Sequence, residues 1–127
     1  MDVKGLAAVV TGGASGLGAA TARLLTERGA KVALFDQNEV KGEALAKEIG
    51  GIFSKCDVAD EESVKAAFAA AKAAHGPTRI LINCAGIGGA SRIAGRDGPH
   101  DLARFMKIIT VNLVGTFNVT RLFAAEA

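Results

Sequence analysis

Thr11-Gly12-Gly13-Ala14-Ser15-Gly16-Leu17-Gly18 spaces its glycines G-x-x-x-G-x-G between an apolar run and an amphipathic stretch. This pattern suits phosphate binding. Gly12 makes the tight turn, Gly16 lets the backbone approach a pyrophosphate, and Gly18 lets the following helix pack close to a sheet. That helix presents unpaired N–H groups and the positive end of its dipole to the phosphates. A plain strand–helix turn can also be rich in glycine, so a second feature is needed. Asp36 supplies it, about twenty residues beyond the glycines, where a carboxylate can bond both hydroxyls of a ribose. Its charge repels a 2′-phosphate, and Ser15 and Gln37, which flank the expected pocket, are not basic. The pattern therefore predicts a site for NAD rather than NADP.

Other chemistries find little support. Cys56 and Cys84 form no CxxC pair and no metal-ligand spacing, and they read as reduced thiols of a cytoplasmic protein. His75 closes a helix and His100 sits in a loop, with no Ser or Cys nucleophile arranged around either. Trp and Tyr are absent. The formal net charge is +2 with Lys and Arg scattered, which argues against a nucleic-acid partner. No targeting segment is visible, and no run approaches the roughly 18–20 apolar residues of a membrane span.

The elements that must position these residues alternate. Residues 6–10 form an apolar run, as in a strand buried on both faces of a parallel sheet. A helix follows over about 16–28, with Leu17, Thr21, Leu24 and Leu25 on one face and Gly29 as its stop. Residues 31–36 are the second strand, 40–49 the second helix, and 52–54 a short third strand. Asp60 is the expected N-cap of a third helix whose apolar stripe is Val64, Ala67, Phe68 and Ala71. Ile80-Leu81-Ile82 is the fourth strand. A glycine-rich loop over 85–99 leads to a long helix that starts near Asp101 and still runs at Ala127. Such alternation predicts an α/β fold: a Rossmann-type, doubly wound parallel sheet with helices on both faces, strand order 3-2-1-4, in one domain over 1–127. The nucleotide belongs in the crevice at the switch point.

Together these motifs resemble the short-chain dehydrogenase/reductase family. The loop 11–18 is similar to its TGxxxGxG signature. Asn83-Cys84-Ala85-Gly86 is similar to its NNAG motif, with Cys for the second Asn. Asp57-Val58 and the Asn of Val111-Asn112-Leu113 fall where the family has an adenine-binding Asp and a helical Asn. The resemblance implies hydride transfer between a secondary alcohol and NAD. It implies that Gly12, Ser15, Gly16, Leu17 and Gly18 line the pyrophosphate and that Asp36 takes the adenine ribose. Asp57 and Val58 would take the adenine, and Asn83, Ala85 and Gly86 would border the riboses. Asn112 would be the one member of the catalytic tetrad present, holding a water and the catalytic Lys; it could equally relieve a bend in a long helix.

A narrower resemblance rests on Val3-Lys4-Gly5-Leu6, Cys84-Ala85-Gly86-Ile87 and Gly115-Thr116-Phe117-Asn118-Val119. It points to a homotetrameric subgroup that oxidises 3-hydroxyacyl-CoA thioesters and, in some members, hydroxysteroids. The family's catalytic Ser, Tyr and Lys find no counterpart here. We therefore expect 1–127 to be the NAD-binding portion of a single-domain enzyme, inactive alone, and unstable or oligomeric because its fourth strand would be an apolar edge. Arg92 and Arg96 could meet a CoA phosphate, but they read better as part of a solvated loop. Two other functions compete: a non-catalytic NAD-binding or assembly module, and a methyltransferase. The glycine spacing and the 83–86 motif count against the second.

Overall fold

A computed structural model describes residues 1–89 and 91–126. Strand β1 (Ala7–Thr11) is buried along its whole length and leads through the glycine loop into α1 (Gly16–Glu27). Next come β2 (Lys31–Asp36), α2 (Glu39–Ile49), β3 (Ile52–Lys55), α3 (Glu61–His75) and β4 (Ile80–Asn83). The four strands are parallel in the order β3-β2-β1-β4, as the alternation predicts. Ala8 of β1 faces Val32 on one side and Ile80 on the other.

Successive strand residues point to opposite faces, which makes two cores. Val9, Ala33 and Phe35 pack with Val64, Phe68 and Val119 on the side of α3 and the C-terminal helix. Phe35 and Phe68 meet edge to face at 5.2 Å between centroids. On the other side Ala8, Val10, Val32 and Leu34 pack beneath Ala19, Ala22 and Leu45.

The apolar stripe expected on α1 is corrected. Leu17 is 83% exposed and Leu24 50%, whereas Ala19 and Ala22 are buried. The helix lies so close to the sheet that only small side chains fit beneath it. A Cβ on Gly18 would overlap the Gly12 carbonyl oxygen. Asp60 precedes α3 as expected but makes no side-chain cap; the hydroxyl of Ser63 instead accepts from Asp57 N–H at 2.9 Å.

The loop expected over 85–99 contains a small antiparallel hairpin, β5 (Ala94–Gly95) with β6 (Gly98–Pro99). The long helix is not uniform. It comprises α4 (Leu102–Ile109), capped by the Asp101 carboxylate, a π-helical turn (Thr110–Gly115) and α5 (Thr116–Glu126). Ala127, where the pattern still reads as helix, lies outside the described residues.

By length and composition alone the 25-residue helix Leu102–Glu126 could cross a membrane, since an 18-residue window within it has a mean hydropathy of 1.4. The sequence still holds no unbroken apolar run of that length. Polar residues such as Lys107, Thr110 and Asn112 interrupt the run and hid it from a count of consecutive apolar side chains. In the fold the helix is tied to the sheet domain through fully buried Val119 and the side-chain amide of Asn118.

Candidate functional site

A cleft of about 400 Å³ opens at the carboxyl ends of the strands, where the chain switches sides of β1. Gly12, Ser15, Gly16, Leu17 and Gly18 line it from the glycine loop, and Asp36 from the end of β2. Val58 lines it from beyond β3, and Ala85 and Gly86 from beyond β4. The crossover topology brings together segments that are far apart in the chain, such as Gly12 and Gly86.

The glycine loop is held from two directions. Gly12 and Gly16 adopt φ of 63° and 56°. Gly12 N–H donates to Phe35 O at 2.8 Å, and Ala14 N–H donates to Asp36 Oδ2 at 3.0 Å. A Cβ on Gly12 would stand 2.7 Å from Ala85 N, so only glycine lets the two loops touch. Gly16 has nothing within 4 Å of its Cβ position and faces open space. Ser15 makes no side-chain cap, and the first turn of α1 carries no acid. That helix end therefore keeps its N–H groups and positive dipole for an anion.

Asp36 is half-buried at the rim. Its other oxygen, Oδ1, accepts from Asn38 N–H at 2.9 Å. A carboxylate offers about four lone-pair sites, so two backbone bonds leave capacity for ribose hydroxyls.

Thr11 has a structural task beyond its place in the glycine motif. Its side chain is buried, and Oγ1 accepts from Cys84 N–H at 3.1 Å and Ala85 N–H at 3.2 Å. It joins the ends of β1 and β4 into the floor of the cleft. The signal for it was a hydroxyl at the last position of a buried strand. Phe35, Gln37, Cys56, Cys84, Ile87 and Val111 also line the cleft but were not among the predicted site residues. Burial pushes the Cys56 thiol up to about 11, against a hydrogen bond from Ser63, so this sulfur stays protonated at neutral pH.

Asp57, Asn83 and Asn112 stand outside the lining. Asp57 Oδ1 accepts from Ala59 N–H at 3.0 Å in a local turn. Asn83 Nδ2 donates to Thr120 Oγ1 at 3.1 Å, joining β4 to α5. Asn112, in the π-helical turn, clamps the backbone of Ile87. Oδ1 accepts from Ile87 N–H and Nδ2 donates to Ile87 O, both at 2.8 Å. Its carbonyl accepts from the Thr116 hydroxyl at 2.9 Å. The amide thus shapes the β4 lip of the cleft.

The arrangement can cradle a phosphorylated ligand and grip a ribose. Among the described residues, no Lys, His or Tyr lines the cleft, and no set of His, Cys, Asp and Glu could hold a metal.

Known proteins share this sequence and geometry. The family model described as short chain dehydrogenase matches residues 6–126. The chain is 47% identical to 3-hydroxyacyl-CoA dehydrogenase type-2 of Homo sapiens, over 98% of this chain and 49% of that one. It is 36% identical to the mitochondrial borneol dehydrogenase of Lavandula x intermedia, over 94% and 45%. The crystal structure of 3-hydroxyacyl-CoA dehydrogenase type-2 from Mycobacterium avium superposes with a TM-score of 0.88 at 44% identity, covering 96% of this chain and 49% of that one. The chain spans about half the length of the relatives it matches. Matched by the family model along nearly all its length, and superposing on a solved relative at a TM-score of 0.88, the chain belongs to the short-chain dehydrogenase family of oxidoreductases.

Proposed function

We propose that this chain forms the NAD-binding part of a dehydrogenase that moves hydride between a secondary alcohol, of the 3-hydroxyacyl-CoA class, and NAD. The observation that carries the cofactor choice is Asp36. Its carboxylate lines the cleft and is latched to the glycine loop through Ala14 N–H, so a negative charge sits where a 2′-phosphate would have to go. The residues fit the cofactor. Gly16 leaves room for phosphate and the uncapped end of α1 attracts it. Asp36 orients the ribose, and Val58 and Ala85 wall off water. Bound NAD supplies the hydride acceptor. The substrate class rests on the narrower motif resemblance and on the names of the relatives.

Self-association is part of this reading. Leu102, Phe105, Met106 and Phe117 expose apolar surface along one helix, as a homo-oligomer would require. Two free cysteines suit a reducing compartment such as the cytoplasm.

Calorimetric titration of the 127-residue chain tests the cofactor. NAD is expected to bind about tenfold or more tightly than NADP, and S-adenosylmethionine not at all. Equal or tighter binding of NADP would overturn the assignment to Asp36.

A second reading, a module that binds NAD without catalysis, is favoured by the absence of Tyr from the sequence. A phenol activated by a nearby cation is the family's general acid/base. We expect the 127-residue chain to bind NAD and to form no NADH from 3-hydroxybutyryl-CoA. Turnover by this chain would show that acid–base chemistry resides in its own residues.

A further inference from the structure

Asn118 is 5% exposed, and its amide is satisfied from both ends. Nδ2 donates to Val58 O at 2.9 Å. Oδ1 accepts from Arg121 Nε at 3.1 Å and from Arg121 Nη2 at 2.8 Å. The same Nη2 donates to Glu61 Oε1 at 2.8 Å. A guanidinium only donates and a peptide carbonyl only accepts, so neither end of the amide can be exchanged for the other.

The partners are close in sequence. Val58 lies in the middle of the 56–60 connection that leads from β3 into α3, and Glu61 is the first residue of α3. The circuit from Val58 through Asn118 and Arg121 to Glu61 therefore staples that connection and the start of α3 to α5. Gly115 adds a steric stop, since a Cβ there would stand 2.5 Å from Val58 Cγ2. Val58 lines the cleft on the β3 side, one strand beyond Asp36. If Asp36 takes the adenosine ribose, the base reaches this wall.

We propose that Asn118 is a positioning residue of the nucleotide site: it fixes the Val58 wall against which the adenine half of the dinucleotide seats. This rests on the dinucleotide reading above. One helix then holds both lips of the cleft, through Asn112 at Ile87 and through Asn118 at Val58.

The test uses the 127-residue chain with two probes, NAD and nicotinamide mononucleotide, which lacks the adenosine half. Asn118→Asp keeps an acceptor for Arg121 but has no donor for Val58 O. It should weaken NAD by about tenfold, as expected for a lost buried hydrogen bond, and change nicotinamide mononucleotide by less than about twofold. Arg121→Met, at a more exposed position, should act in the same direction by about threefold and carries the test if Asn118→Asp fails to fold. A merely structural role would weaken both probes equally. That result, or unchanged NAD affinity in a wild-type background that binds NAD, overturns the proposal alone. A wild-type chain that binds neither probe overturns the dinucleotide reading and this proposal with it.

Discussion

Alanine at Gly12 and alanine at Gly16 should separate what the loop does for the fold from what it does for a ligand. Both positions have positive φ, 63° and 56°, so each substitution carries a left-handed penalty of about 1–2 kcal/mol. The surroundings differ. At Gly12 the new Cβ would lie 2.7 Å from Ala85 N and 2.8 Å from Ala85 Cα, both backbone atoms held by Thr11. Relieving that overlap means parting the ends of β1 and β4, an overpacking cost of about 1–3 kcal/mol. Gly12→Ala should therefore lose about 2–5 kcal/mol, a large share of a small domain's usual 5–15 kcal/mol. At Gly16 nothing lies within 4 Å, so only the backbone penalty applies. Yet its methyl group enters the space assigned to the phosphates, and NAD affinity should fall by more than about tenfold. Urea denaturation and calorimetric titration of both variants provide the measurements. Gly16→Ala with wild-type NAD affinity, or Gly12→Ala as stable as Gly16→Ala, would refute the reasoning.

Three other outcomes are expected. Asp36→Asn offers one acceptor where Ala14 N–H and Asn38 N–H need two, so it should lose about 1–3 kcal/mol in denaturation and narrow the gap between NAD and NADP in titration. His75 is held below its ordinary 6.5 by burial and then by the Lys31 charge, and its Nδ1 has no partner among the described residues. The unfolded chain thus binds the proton more readily. This group's share of stability is intact above pH 6.5 and lost as pH falls below it; urea midpoints of His75→Gln should show a shallower decline there than wild type. The apolar face of α4 and α5 and the outer edge of β4 should make the 127-residue chain self-associate with rising concentration on a sizing column; a monodisperse monomer would contradict this.

How far the sequence could be read depended on the range of each interaction. The strands of Val9, Leu34 and Leu81, the glycine loop and the 3-2-1-4 order follow from local periodicity and from connection rules, and the structure has them. The α1 face departs from its pattern because leucines look like core residues, whereas a helix packed this near a sheet buries Ala19 and Ala22 and leaves Leu17 outside. The hairpin Ala94–Gly95 with Gly98–Pro99 carries little apolar pattern, so composition suggested only a loop. Thr11, Asn112 and Asn118 act through partners twenty-five to seventy-four positions away. No window along the chain contains both halves of such a bond, and nothing about Asn118 alone distinguishes it from other polar residues of its helix.

The π-helical turn Thr110–Gly115 makes the helix sensitive to length rather than to composition. Each residue of an α-helix advances about 100° around the axis, and a π turn accommodates an additional residue. A deletion of one residue could be absorbed by the π turn closing to α-helix, but inserting one between Asn112 and Asn118 would leave Asn112 on Ile87 and rotate everything beyond it by about 100°. Asn118 would swing off Val58 although no named side chain had changed. Substitutions at exposed Leu113 or Val114 carry no such consequence. A library of variants of this segment should thus tolerate many exchanges and some single deletions but almost no insertions, because the spacing of the two grips on the cleft is kept as a residue count.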